Sequence, residues 1–230
     1  MNDDRRATGE LAIWPTIKIP ALITLAITVI RLAGELQHWS KALFDPQAGG
    51  GNAIIGITWL APVFGIYFAV KLVRAGHAPS STVRSLGFAA MGALVAVAGM
   101  SLVSRFPAAD FHQFLYRVWG ISALAALVTL PAWGDLFKVQ LAYAYAARVP
   151  VAIIMFLAIR ASWGTHYDVA PPNVGFLNWF TKYLWIGFFA QLVFWVGFTM
   201  VSGMLFGTVT AAVMRLTGRA SQPGKLAQSA

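Results

Sequence analysis

Cysteine is absent from the 230-residue chain. Disulfides, thiolate metal sites and cysteine nucleophiles are therefore excluded. Charge is also scarce. Asp, Glu, Lys and Arg make up 11% of the residues, against about 25% in an ordinary soluble domain. Acidic groups are the rarer sign, 8 against 17 basic ones, which leaves a net charge of +9. In a water-soluble protein that balance points to nucleic acid. Here the basic residues flank apolar runs, so no nucleic-acid partner is expected and the charge is assigned to topology and lipid headgroups.

What the chain has instead is apolar surface, with 58% hydrophobic residues. Between Leu11 and Met214 it returns repeatedly to runs with few or no charges. A hydrocarbon core of about 30 Å needs roughly 20 apolar helical residues per crossing, so the runs account for about six crossings. They fall at 15–34, 53–73, 85–104, 114–133 and 139–159, with the last between Lys182 and Arg215. The residues between those two charges would make a helix of roughly 48 Å, which must tilt, kink or project beyond the bilayer.

The expected fold is all-α, a polytopic bundle of six transmembrane helices. Residues 1–14 form a polar cytoplasmic N-terminus, 15–214 the membrane domain and 215–230 a disordered cytoplasmic tail. Arg5 and Arg6 precede the first run. That run carries Lys18, Pro15 and Pro20 with no clear cleavage site after it, so it reads as a retained span.

The positive-inside rule orients the set with both termini cytoplasmic. Arg5, Arg6, Lys71, Arg74, Arg84, Lys138, Arg215, Arg219 and Lys225 then lie inside, facing anionic headgroups, and Lys41, Arg105, Arg117, Arg160 and Lys182 lie outside. Trp39, Trp119, Trp163, Tyr167 and Trp179 fall at the outer interface, and Trp14 and Trp133 at the inner one. The expected location is a cell membrane, plasma or inner.

Pro62, Pro131 and Pro150 sit within the second, fourth and fifth runs. Proline is commonly tolerated in membrane helices, and neighbours satisfy the carbonyls it frees. Gly203 and Gly207 form a GxxxG pair, which permits close backbone approach. Packing within the chain is the expected use, with homo-oligomerisation a possibility the motif allows. A second pattern is an internal echo. Pro62-Val-Phe-Gly-Ile-Tyr-Phe68 resembles Pro150-Val-Ala-Ile-Ile-Met-Phe156, and Lys71 and Arg160 follow. Spans 2–3 would then repeat spans 5–6 in inverted topology, the layout of many secondary transporters. Apolar helices drawn from few residue types also match by chance.

Three histidines fall in the predicted outer loops, each near a carboxylate: Glu35 with His38, Asp110 with His112, and His166 with Asp168. Glu-x-x-His places two ligands on one helical face, and three imidazoles with carboxylates suit a divalent transition metal such as Zn, Fe, Cu or Mn. The alternative is ordinary wet loop chemistry, with Asp110 capping the fourth helix and Asp168 serving a turn before Pro171-Pro172. His77 lies in an inner loop.

Arg148 lies deep in the fifth run, two residues before Pro150, with Tyr143 and Tyr145 on the preceding turns. An arginine at that depth is expensive and faces a bundle interior, a wet cavity or a partner. No carboxylate lies at comparable depth, so proline-freed carbonyls or water are its expected partners. With Tyr145 it is the candidate contact for an anion or a lipid phosphate; the alternative is a structural staple at the kink. Arg31 and Glu35 are four apart and can pair on one helix face. Gly49-Gly-Gly51-Asn52 lacks a following Lys-Ser/Thr and reads as a flexible entry to the second span.

No motif is specific enough to name a family. Two functional readings stand. One is a transporter-, channel- or scaffold-like membrane protein, and the other is a membrane-embedded metalloenzyme or metal-handling protein built on the outer histidines.

Overall fold

The chain between Ile13 and Leu36 forms helix α1, and its side chains are sorted against the usual rule for water. Thr24 and Thr28 are buried, while Leu22, Ile23, Val29 and Ile30 face outward, Leu22 with 63% of its surface exposed. Each threonine hydroxyl donates to the carbonyl four residues back, Thr24 to Pro20 at 2.8 Å and Thr28 to Thr24 at 2.9 Å. A helix that hides its polar groups and shows its apolar ones suits hydrocarbon surroundings. The computed structural model that gives this arrangement describes residues 11–51, 53–172, 174–176 and 178–218. Of the expected polar ends, 1–10 and 219–230, with Arg5, Arg6, Arg219 and Lys225, lie outside the described residues, while Ile13 and Trp14 already belong to α1 and Arg215 and Leu216 to the last helix.

Five further helices follow. They are α2 (Leu60–Arg74), α3 (Thr82–Arg105), α4 (Phe111–Val128), α5 (Gly134–Ala161) and α6 (Trp179–Leu216). Every regular element among the described residues is helical. Four of the six, α1, α3, α5 and α6, are long and apolar enough to cross a membrane, which is compatible with a membrane protein. The α2 helix has 15 residues, about 22 Å at 1.5 Å per residue, because residues 53–59 are not helical as the apolar run suggests. The α4 helix carries His112, Gln113 and Arg117 in its first half.

Two of the three prolines expected within apolar spans are not in a helix interior. Pro62 is the third residue of α2, in the first turn, where a backbone donor has no partner to lose. Pro131 is not in a helix at all. The α4 helix starts early, where Asp110 accepts from Gln113 N at 2.8 Å, and ends at Val128. Pro131 then occupies the turn to α5, as a residue that disfavours helix at its predecessor. Pro150 does lie inside α5. The internal echo thus pairs a first-turn proline of a 15-residue helix with an interior proline of a 28-residue one.

The packing centres on α6. It crosses α2 and α5 on one side and α3 and α4 on the other, while α1 rests on α5. The glycines set the closest approach. A Cβ added to Gly65 would lie 2.6 Å from the Cα of Gly203. Gly207 sits over Leu136 and the Gly65 carbonyl in the same way. Both glycines of the GxxxG pair are therefore used within the chain. The core beside this crossing is aromatic, with Phe64 and Phe68 edge-on to Tyr143 at 5.2 and 5.3 Å.

Two stretches of α6 are π-helical, Tyr183–Phe188 and Ala190–Trp195. Such i→i+5 winding is rare and concentrates at functional sites. It is how this long rod departs from a regular helix, and it lies beside the middle of α5.

Candidate functional site

Arg148 lies near the midpoint of α5 and is only 4% exposed. Its neighbours are not the carbonyls freed by Pro150. They come from the second π stretch of α6, where Gln191 and Trp195 stand four residues apart, close to one π turn. Arg148 Nη1 donates to Gln191 Oε1 at 3.5 Å, a long bond, and the guanidinium carbon lies 4.8 Å from the centre of the Trp195 ring. Gln191 Nε2 in turn meets Met155 Sδ at 3.4 Å, two turns along α5 from Arg148. No carboxylate forms an ion pair with Arg148 among the described residues. Its Nε is buried with no hydrogen-bond partner.

Arg148 is among the residues that line a cavity of about 350 Å³. Thr28 and Arg31 of α1, His166 and Tyr167 of the α5–α6 loop, and Gln191 of α6 supply its polar lining, while Phe111, Phe114 and Leu115 of α4 with Trp185 and Phe194 of α6 supply its apolar side. A concave site with mostly apolar walls and a few convergent polar groups has the usual make-up of a ligand pocket.

The cavity is roofed by two loops clamped to the end of α1. Arg31 Nε donates to Glu35 Oε1 at 2.9 Å, the pairing their spacing predicts. The other oxygen of Glu35 accepts from the backbone N–H of His166 at 2.8 Å, and the His166 ring meets Oε1 through Nδ1. The Glu35 side chain is fully enclosed. Arg31 also donates to the carbonyl of Gly50 at 2.8 Å and to that of Asp45 at 3.4 Å, which ties down the loop before α2. Gly50 takes a φ of +91°, and a Cβ there would sit 3.0 Å from Arg31 Nη2. The glycine run is thus a fitted roof segment, not a loose entry. Tyr167 completes the clamp by donating from its hydroxyl to Thr28 O at 3.2 Å.

These surroundings act on the loop groups. Burial holds the His166 imidazole below its ordinary value; Arg31 adds to that, and the Glu35 contact only partly opposes it. The ring is then neutral near pH 7, with Nδ1–H donated to Glu35 and Nε2 left as an acceptor. Burial also raises the Tyr167 hydroxyl, which stays protonated and serves as a donor.

Of the six residues expected as metal ligands, the structure brings Glu35 and His166 together. Asp168 is turned into its own loop, accepting from Gly164 N at 2.9 Å and from both Thr165 N and Oγ1. Asp110 is the cap of α4. His38 is exposed just past the end of α1, with a φ of +52°. His112 stands edge-on to Trp185 at 4.3 Å. No group of three or more His, Cys, Asp or Glu among the described residues is placed to hold a metal ion. His77 is bonded through Nδ1 to Asp135 at 2.9 Å, joining the α2–α3 loop to the start of α5.

Tyr145 is 43% exposed, on the outer face of α5, and Tyr143 is the tyrosine that points inward, to Thr24 Oγ1 at 2.9 Å. Residues two apart on a helix lie on nearly opposite faces, so only one of the two can share the interior with Arg148. Gln191 and Trp195 carry the site and were not singled out by sequence. A signal existed for the first, since Gln191 is the one amide between Lys182 and Arg215. The chain matches no protein-family model, no curated protein and no solved structure.

Proposed function

We propose that this is an integral membrane protein of transporter-like character that binds its ligand through an anionic group held by Arg148. One observation carries the reading: a buried guanidinium with an unsatisfied Nε on the wall of a cavity. Arginine at the centre of a membrane helix costs about 2.5–3.5 kcal/mol by insertion scales. A structural staple would use the whole fork, whereas Arg148 lines the cavity with one long bond and a buried Nε that has no partner. Guanidinium geometry matches carboxylate and phosphate, and in surroundings of low polarity the charge-assisted bonds are strong. The cavity favours ligand binding over a purely scaffolding role.

In this reading the chain crosses the membrane six times with both termini cytoplasmic, α2 completing its short crossing with residues 53–59 and the shelter of α5 and α6. The clamp of Arg31, Glu35 and His166 then lies at the outer end of the cavity and His77 at the inner face. The absence of native cysteine makes this directly testable. Single-cysteine variants H38C and H77C, in intact cells, should be labelled by a membrane-impermeant maleimide at the first position only. Labelling of H77C from outside would reverse the topology.

The binding itself is tested by thermal unfolding of the purified full chain with inorganic phosphate, a short-chain carboxylate and a long-chain alkyl phosphate. At least one should raise the Tm of the wild type and leave Arg148→Leu unmoved. If no anion stabilises the wild type and Arg148→Leu is severely destabilised, Arg148 is a staple and the reading fails.

A further inference from the structure

The walls of the cavity say more about the ligand than its one cation does. Ile27, Thr28 and Arg31 of α1 border it on one side, and Phe111, Phe114 and Leu115 of α4 on another. Yet α1 packs on α5 and α2, whereas α4 packs on α3 and α6. Among the described residues α1 and α4 share no packed interface, and the cavity lies along the seam between them. At one end the clamped loops line the cavity through Gly50, His166 and Tyr167. The seam runs between helices whose outward faces are apolar, Val29 and Ile30 on α1 and Leu124 and Leu127 on α4.

Resting on the proposed anion site, we infer that the ligand is an anionic amphiphile, an acyl or alkyl chain ending in a phosphate or carboxylate, that enters sideways from the bilayer through the α1–α4 seam. The head sits at Arg148 and Gln191, and the chain runs out against Phe111, Phe114, Leu115 and Phe194. Three observations converge. The polar groups gather around the Arg148–Gln191 pair and the clamped loops. The α4 wall and the part of α6 beside it are aromatic and aliphatic. The volume, about 350 Å³, is at the small end of ligand pockets, roughly 300–1,000 Å³. It suits a head and the first part of a chain, with the remainder in lipid. A small hydrated anion would gain nothing from the apolar wall and would have to pass the roof. A lipid phosphate and a free fatty-acid carboxylate offer the same chemistry to the guanidinium, and the choice of probe separates them.

The test uses the full-length protein in phosphatidylcholine vesicles with two photoreactive, clickable probes, a diazirine-bearing hexadecyl phosphate and the matching sixteen-carbon fatty acid. Cross-links are mapped by peptide mass spectrometry. At least one probe should label 111–115 and 185–194. Labelling should fall about tenfold or more in Arg148→Gln, the loss expected for a charge-assisted bond. It should be unchanged in Leu94→Ala, on the outward face of α3. Preference for the phosphate probe points to a lipid phosphate, and preference for the carboxylate to a free fatty acid. Should Arg148→Gln fold poorly, Ile27→Cys with Leu115→Cys provides a second route. A reducible thiol cross-linker across the seam should block labelling, and reductant should restore it.

Equal labelling of these segments in wild type and Arg148→Gln, or labelling indifferent to the seam cross-link, overturns the inference. If inorganic phosphate or acetate stabilises the wild type through Arg148 while neither probe labels the seam, the anion site stands and the amphiphile does not. If no anion and no probe depends on Arg148, both fall.

Discussion

Arg31 and Arg148 are both arginines on the wall of one cavity, and they are treated in opposite ways. Arg31 spends its fork on Glu35, Gly50 and Asp45, which ties two loops to the end of α1. Arg148 has one long bond to Gln191, a tryptophan face and an unpartnered Nε. The first resembles a structural clamp, with its charge neutralised and its donors used. The second is held in place by packing and left chemically open. Burial alone therefore does not mark a functional cation; the state of its donors does.

The contrast can be broken at several points, and the largest effect is expected at Glu35. Glu35→Ala strips the carboxylate from Arg31 and His166 at once and leaves a half-buried guanidinium without its counter-charge. Breaking a buried pair in this way costs about 3–5 kcal/mol. Denaturant or thermal unfolding in detergent should show it, and a loss below 1 kcal/mol would mean the clamp is not structural. Gly50→Ala comes next. It forces a side chain into a left-handed backbone, which costs about 1–2 kcal/mol, and crowds Arg31 as well.

A smaller change should follow pH. The His166 imidazole is held below its ordinary value of 6.5 by burial. The unfolded chain therefore takes up the proton at higher pH than the folded one. The contribution is complete above the unfolded value and declines as pH falls through the folded one. The Tm should drop on acidification below about 6.5, and His166→Phe should flatten that slope. An unchanged slope would place the acid sensitivity elsewhere. The smallest effect on stability is expected at Arg148. Replacing it with leucine removes an incompletely paired buried charge and substitutes apolar packing, a change that is often neutral or stabilising. Unfolding should move by about 1 kcal/mol or less even as anion binding disappears. Comparable losses for Glu35→Ala and Arg148→Leu would erase the distinction between the two arginines.

Some of this is legible in the residues. The i,i+4 spacing of Arg31 and Glu35 anticipates their ion pair, because neighbours on one helical face are fixed by local geometry. Arg148 stands out because a cation in a long apolar run has few tolerable explanations. The roles of the tyrosines are not legible without the helix phase. Tyr143 and Tyr145 lie two apart, and only packing decides which one turns inward. The six ligand candidates shared a predicted side of the membrane, but a shared side is not a shared point. Asp110 and Asp168 are taken up by local caps and turns, as their residue type allows. The π winding that presents Gln191 and Trp195 to Arg148 has no signature in hydropathy, since α and π turns draw on the same apolar residues.

The sequence by itself determined the class of this protein. Its long apolar runs and scarce charge point to an all-helical chain compatible with a membrane, where every backbone donor and acceptor must be satisfied internally. It also determined the existence of a costly cation at the centre of α5. Tertiary structure decided the rest. The crossing of α2 and α6 at paired glycines, the roof pinned to Arg31, and the separation of α1 from α4 arise between segments far apart in the chain. Contacts of that kind are set by how surfaces fit together in three dimensions, and a one-dimensional pattern of hydrophobicity does not encode which faces meet.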